Sequence, residues 1–324
     1  MRRSRVPRVA PFFGRRFGLA GLVVLVSLAG CRPDLDAPLS LITDTRILAV
    51  QAEPAEAAPG ETVSYQALVA SPAGTVAGTA IAWSFCTVPK PPGENNVVDP
   101  ACLAAGLVPA GPPGPALVAA TPAAGCALFG PAAPPPARPR DPDVTGGYYQ
   151  PLRAAIETPD LRAALFLSRI PCELAQASAQ VAAEFRARYR PNRNPRLLPA
   201  SLRASRVADG QPVALDQLPQ SQGQDQRIRF EIDWQADAAE IYPVFDAATQ
   251  SLVDHRETLR VSWFATAGAF AAEHTGRGEE DTALSSDNVW TAPSAAGPVH
   301  LWVVLRDARG GSDFVSYTLV VATE

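Results

Sequence analysis

Apolar residues in this chain recur at every second position, in short runs that proline, glycine and aspartate cut off. A period of two sends alternate side chains to opposite faces of a strand, whereas an amphipathic helix needs spacings of three and four. In "TVSYQALVA" the residues Val63, Tyr65, Ala67 and Val69 fall on one face, and in "TAIAWSFCTV" Ile81, Trp83 and Phe85 do the same. "RILAVQAE" sets Ile47, Ala49 and Gln51 against Leu48, Val50 and Ala52. With 33 prolines among 324 residues, the pattern predicts an all-β chain.

The runs fall into two groups. Residues 44–173 open with two strands followed by a tryptophan-bearing strand, which is how an immunoglobulin-like sandwich starts. Cys86 sits directly after that strand's core face, without the partner spacing of antibody domains. "GGYYQPLRAAI" and "RAALFLSRIPCEL" supply further strands of the first domain. Between these and the tryptophan strand, residues 89–142 form a Pro/Ala-rich insertion, whose proline density predicts loop or polyproline-like chain. Leu174, Val181, Phe185 and Tyr189 are spaced as on a short amphipathic helix, so residues 174–195 are expected to connect two domains. Residues 196–324 carry seven more β-like runs, from "QRIRFEIDW" through "IYPVFD" and "SLVDH" to "DFVSYTLVV". The expected architecture is two Ig-like β-sandwich domains in tandem. In the second, "VHLWVVLRD" is apolar on nearly both faces, and "DARGGSD" reads as a glycine-bearing hairpin turn.

The N-terminus speaks of address. "MRRSRVPRVAPFFGRRFGLAGLVVLVSLAG" places six arginines and no acid around and ahead of an apolar stretch at 17–28. That length suits the h-region of an export signal and is short for a bilayer span. Leu28, Ala29, Gly30 and Cys31 follow, a step that resembles the lipobox of bacterial lipoproteins. The resemblance implies that residues 1–30 are removed, that the Cys31 sulfur takes a diacylglyceryl group, and that the new amino group is acylated. Several chains anchor stably because each buried methylene contributes about 0.8 kcal/mol. Arg32 stands where an aspartate would resemble an inner-membrane retention signal, so the implied destination is the outer membrane, at its periplasmic face or the cell surface. Residues 31–43 then read as a tether.

Four cysteines remain: Cys86, Cys102, Cys126 and Cys172. An even count in an exported chain reads as disulfides, and four allow three connectivities. Pairing sequence neighbours, Cys86 with Cys102 and Cys126 with Cys172, closes the shorter loops, and the first closure alone contributes about 3 kcal/mol in the chain-entropy model. It also staples the proline-rich insertion to the first domain. No CxxC pair is present and the three histidines lie far off in sequence, which argues against zinc.

Once the signal is removed, 22 basic residues face 32 acidic ones, a formal charge of −10. No basic stripe remains to neutralise phosphates, which argues against a nucleic-acid partner. HExxH, GxSxG, Walker A and GxGxxG patterns are all missing, no cofactor is implied, and the expectation is a protein that is not an enzyme. The acidic groups Glu279, Glu280, Asp281 and Asp141, Asp143 lack EF-hand spacing and read as solvated loops. Trp83 and Trp263 sit on strongly patterned strands and read as core, whereas Trp290 and Trp302 lie near a loop end and could offer an aromatic platform for sugars.

"LRVSWFATAGAF", "NVWTAPSAAGPVHLWVVLRDARGG" and "VQAEPAEAAPGE" together resemble lipoproteins of myxobacterial type built from Ig-like modules. The likeness spans nearly all of residues 28–324 and carries no activity with it. The expectation it leaves is an envelope-anchored scaffold, adhesion or assembly module with a protein partner, the alternative being a carbohydrate-binding surface lipoprotein.

Overall fold

The computed structural model describes residues 38–89, 98–129, 144–156, 162–174, 177–221 and 226–322. Residues 1–37, which hold the expected signal segment, Cys31 and the first part of the expected tether, lie outside the described residues, as do Asp141 and Asp143. Residues from 37 onward form one compact unit.

The chain is all-β, with the same sandwich built twice. The first is made from β1 (Arg46–Glu53), β2 (Thr62–Ser71), β3 (Gly74–Thr75), β4 (Ile81–Cys86), β5 (Leu107–Pro109), β6 (Ala116–Ala120), β7 (Gly147–Ile156) and β8 (Arg162–Pro171). Its sheets run β1-β2-β6, with the short β3 also on β2, and β5-β4-β7-β8. The second comprises β9 (Arg203–Arg206), β10 (Pro212–Val213), β11 (Leu218–Pro219), β12 (Arg227–Asp233), β13 (Ile241–Asp246), β14 (Ser251–Arg256), β15 (Leu259–Ala265), β16 (Ala269–Phe270), β17 (His274–Arg277), β18 (Ser285–Thr291), β19 (Gly297–Asp307) and β20 (Ser312–Ala322). Its sheets run β10-β9-β12-β18-β16 and β11-β20-β19-β15-β17. Leaving aside the short additions, both sandwiches pair their first strand with the second and the second with the fifth. Both also run fourth-third-sixth-seventh in the facing sheet, the Greek-key order of an immunoglobulin-like sandwich. In each, a segment after the first strand crosses over to lie parallel to the last: Glu56 beside Arg169 of β8, and β11 beside β20. In each, the third strand carries a buried tryptophan, Trp83 or Trp263.

Two sequence expectations need correction. The proline-rich insertion is not only loop, because it supplies β5 to one sheet of the first sandwich and β6 to the other. Both are edge strands, the position where proline's missing N–H does no harm, and Leu117 of "PALVAAT" points into the core. "IYPVFD" and "SLVDH", in contrast, belong to neither sandwich sheet. As β13 and β14 they pair only with each other, a hairpin that leaves Ile241 and Val253 exposed.

Two sandwiches predict two cores; among the described residues there is a third large one, besides a small cluster of Tyr148 and Ile170. Val63, Tyr65, Trp83 and Leu152 centre the first, and Trp263, Trp290, Phe230 and Val303 the second. A third joins the outer faces of two sheets: Leu48, Ala49, Leu68 and Ala70 from β1 and β2 meet Trp302 and Val304 from β19. Four sheets therefore stack in series with an apolar layer in every gap. This is why "VHLWVVLRD" is apolar on both faces. Val299, Leu301, Val303 and Leu305 fill its own sandwich, while Trp302 and Val304 fill the junction. A register shift between Ile47 and Ala49 turns both Leu48 and Ala49 toward that junction.

The last residues of the stretch 31–43, expected to be a tether, are docked on the second sandwich. Ile42 is buried in the third core, its N–H donates to the Ala265 carbonyl at 2.9 Å, and Ala265 N–H returns a bond to the Ser40 carbonyl at 2.9 Å. An isoleucine of this kind, with two strand-like bonds, gains too much by docking to remain in solvent. The helix α2 (Ala179–Arg188), capped by Ser178 on the Val181 N–H, buries Phe185 and delivers Tyr189 to the junction.

Candidate functional site

The junction has a polar side, built by three sequence stretches that meet only in space. From the first sandwich come Glu56 and Arg169, whose side chains are essentially fully buried and 3.4 Å apart. From the connector come Tyr189 and Asn192. The Tyr189 hydroxyl donates to both Glu56 oxygens, at 2.8 and 2.7 Å, and Asn192 N–H donates to Glu56 Oε2 at 2.8 Å. Burial pushes the Tyr189 phenol up to about 12, so it stays a donor at neutral pH.

From the second sandwich comes the β19–β20 turn, "DARGG". The Asp307 carboxylate accepts from the N–H groups of Arg309 and Gly311, at 2.9 and 2.8 Å, and from the Asn192 side chain at 3.2 Å. Gly310 holds a φ of +98°, and a Cβ on Gly311 would collide with the Asp307 carboxylate, so this turn requires both glycines. The turn aims Arg309 inward, where Nε donates to Glu257 at 2.6 Å, Nη2 to Glu240 at 2.8 Å and Nη1 to the Arg190 carbonyl at 3.0 Å. Its guanidinium also lies 4.6 Å from the centre of the Tyr242 ring.

The charges here do not balance. Arg169 and Arg309 are buried together with Glu56, Glu257 and Asp307, two cations against three carboxylates. Burial and the neighbouring Asp307 charge push Glu257 up to about 7, and burial raises Asp307 as well. A network in which most groups are bonded to one another, Arg169 Nε and Asn192 Oδ1 being left without a hydrogen bond, fastens parts together.

Beside this joint lies a cleft of about 430 Å³. Its walls are Leu48 and Val50 of β1, Leu165, Phe166 and Leu167 of β8, and Arg306 at the end of β19. β1 and β8 are the edge strands of the two sheets of the first sandwich. The two edges are treated differently. On β1, every second carbonyl is capped by a side chain from beyond the first sandwich. Leu48 O accepts from Arg306, Val50 O from Ser312 and Ala52 O from Asn194, at 2.9, 3.0 and 2.7 Å. On β8, Arg169 O accepts from Ala57 N–H, and the strand's period of two turns the backbone groups of Leu167 and Leu165 the same way. Among the described residues those groups have no partner on that side.

Among the described residues that line the cleft, Arg306 is the charged side chain without an opposite charge. It donates to Leu48 O and, at 3.3 Å, to Ser262 Oγ, and no described carboxylate comes within ion-pair distance. Burial and the Arg260 charge push it down to about 10, which leaves it cationic at neutral pH.

The residues singled out from sequence fare as follows. The disulfides are Cys86–Cys102 and Cys126–Cys172. Trp290 and Trp302 are fully buried and form no platform, which corrects that expectation. Trp290 lies inside the second core with its Nε1–H on Ala267 O at 3.1 Å, and Trp302 is covered by the first sandwich with its Nε1–H on Thr75 Oγ1 at 2.8 Å. Glu279 pairs with His255 at 2.9 Å, and Asp281 with Arg277 at 3.5 Å. Among the described residues no three His, Cys, Asp or Glu side chains are grouped to hold a metal. Sequence reasoning does not reveal the joint, because Tyr189 and Asn192 fall within the connecting stretch 174–195 and "DARGGSD" reads as a hairpin turn. A usable signal is present in the second stretch, where "DARGGSD" gathers arginine and aspartate between the apolar runs of "VHLWVVL" and "FVSYTLVV".

No protein-family model and no curated protein matches the chain. Similar solved structures include the fibronectin(III)-like modules of Clostridium thermocellum CbhA, at 11% identity and a TM-score of 0.20, over 85% of this chain and 95% of that one. The Yersinia pseudotuberculosis adhesin InvE is 12% identical at a TM-score of 0.21, over 84% of this chain and 58% of that one. Protocadherin gamma B2 extracellular cadherin domains 3–6 are 14% identical at 0.19, over 88% and 54%. The chain thus spans little more than half the length of the last two. Scores this low carry no argument, and the sandwich assignment rests on the strand order itself.

Proposed function

We propose that the protein is an envelope-anchored, non-enzymatic binding scaffold, held to the membrane through lipid on Cys31, that presents the junction cleft to a protein partner. The cleft carries this reading: an uncapped strand edge and an unopposed guanidinium stand next to a buried joint that ties three stretches of chain together. A scaffold that presents a fixed surface needs such a joint, whereas two sandwiches on a free linker would present a variable one. The anchoring half rests on the lipobox-like step at residues 28–31 and the arginine-rich segment around the apolar stretch. A carbohydrate platform loses its support because Trp290 and Trp302 are buried.

The test has two arms. Metabolic labelling with an alkyne fatty acid, comparing wild type with Cys31→Ser, is expected to show label that disappears in the variant; label in both would overturn the anchoring. Crosslinking in intact envelopes through a photoreactive residue placed at Leu165 is expected to trap a protein. Consistent trapping of glycan or lipid alone would overturn the protein-partner reading.

A further inference from the structure

The edge of β8 is already half used. Residues 56 and 57 lie along its far end, where Glu56 forms a parallel bridge with Arg169 and Ala57 N–H donates to Arg169 O. In front of that short added strand the edge continues past Leu167 and Leu165, flanked by the apolar cleft. We infer that this open edge is a strand-addition site, which takes an extended peptide segment of a partner protein and places one of its carboxylates on Arg306. The inference rests on the binding-scaffold reading and names the chemistry of its ligand.

Three observations converge on that occupant. First, Leu165 and Leu167 line the cleft, and the alternation that places Arg169 O on Ala57 N–H turns an N–H and a C=O of each outward, the repeat of two residues that an incoming strand matches, with Gly310 of the β19–β20 turn packed near Leu167 O. Pro151 stands opposite Leu167 on β7 and has no N–H to offer, consistent with Leu167 facing away from β7. Second, the walls between these backbone groups are apolar, with Leu48, Val50 and Phe166 available to alternate side chains of the guest. Third, the guanidinium of Arg306 has five N–H donors and spends them on one carbonyl and one hydroxyl, neither of which carries charge. Its cross-strand neighbour on β15 is Arg260, so the spot is locally cationic in a chain that is acidic as a whole. Asp307 borders the same cleft, but its oxygens are taken by Arg309 N–H, Gly311 N–H and Asn192. A carboxylate on an extended chain satisfies both the edge and the charge.

The opposite edge explains why the site is on β8 alone. Arg306, Ser312 and Asn194 cap the alternate carbonyls of β1, which blunts that edge against pairing. A protein that protects one edge strand residue by residue and leaves the neighbouring one open has an asymmetry that favours a single docking line.

A phage-displayed library of random seven-residue peptides, panned on the mature chain carrying Cys31→Ser, tests this. Enriched peptides are expected to alternate apolar residues and to carry Asp or Glu, and their binding is expected to slow amide exchange at Leu165 and Leu167. Arg306→Gln should weaken an acidic winner about tenfold and leave its Gln-substituted counterpart unchanged. Leu167→Pro, which removes an outward N–H that no described residue uses, should weaken both, and Leu167→Ala, which trims the side chain and keeps that N–H, should weaken them less. Absence of enrichment, or protection on any other strand, overturns the inference. So does decanoate filling the cleft without change at those two amides, which would mark a lipid site. Because the panning needs no anchor and no envelope, it can fail while the labelling and crosslinking arms succeed, and that outcome would leave a scaffold that binds elsewhere.

Discussion

The two sandwiches share one strand order and are stabilised by opposite means. Among the described residues, the first packs thirteen buried residues with a single tryptophan, and the second packs twenty-one with three. The first carries both disulfides, and the second has none. Neither disulfide crosses between the sheets as in antibody domains. Cys86–Cys102 ties the end of β4 to the start of the insertion, and Cys126–Cys172 ties the helix α1 (Gly125–Phe129) to the chain just past β8. The lesson is that a Greek-key topology sets where strands go and not what holds them. An alanine-rich sandwich with a long proline-rich insertion needs its unfolded state restricted, whereas a tryptophan-rich one gains enough from burial.

Reduction should break that comparison most strongly. Closing loops of 16 and 46 residues contributes about 3 and about 4 kcal/mol in the chain-entropy model. In reductant, Trp83 and Trp302 should become exposed at temperatures where Trp263 and Trp290 remain buried, as site-specific fluorine labels on the four indoles would reveal. Simultaneous loss of all four signals would show that the second sandwich leans on the disulfides of the first.

Next in size is Trp302→Ala, which empties the layer that the two sandwiches share. A loss of about 3–5 kcal/mol is expected, and calorimetry should resolve one melting transition into two. A single transition with a shift below 1 kcal/mol would mean that the third core joins nothing.

The buried joint sharpens the comparison through pH. Glu257 is raised from 4.5 to about 7, so the folded chain keeps a proton that the unfolded chain releases in that window. Stability should therefore be fully present below about 4.5 and decline as pH rises to about 7, by on the order of 3 kcal/mol. Chemical denaturation at several pH values measures the slope, and Glu257→Gln should flatten it. A stability that rises across that range would reverse the assignment. The smallest effect is expected from Ser178→Ala, which removes the α2 cap at a cost of about 1 kcal/mol; a loss beyond 3 kcal/mol in urea denaturation would show the helix to be a larger part of the joint than its exposed face suggests.

Much of this was legible in the chain itself. The period-two runs determine strands, because one face of each is apolar and the other is not. The tryptophans of β4 and β15 determine which strand is third, and the even set of four cysteines beyond Cys31 points to closed loops. The run around Trp302 is apolar on nearly both faces, although Trp302 itself read as a candidate platform and nothing in the run says what covers its second side. Only the tertiary structure decided what does. The partner is an outer sheet more than two hundred residues earlier in the chain, and outer-face alanines such as Ala49 and Ala70 give no periodic signal of their own. The joint was hidden for a related reason. Glu56, Arg169, Tyr189, Asn192, Glu257, Asp307 and Arg309 are each unremarkable in local sequence, and a charge becomes informative only when folding removes it from water. Local patterning is set by the faces of single strands, whereas partners of buried charge are set by where strands end up relative to one another.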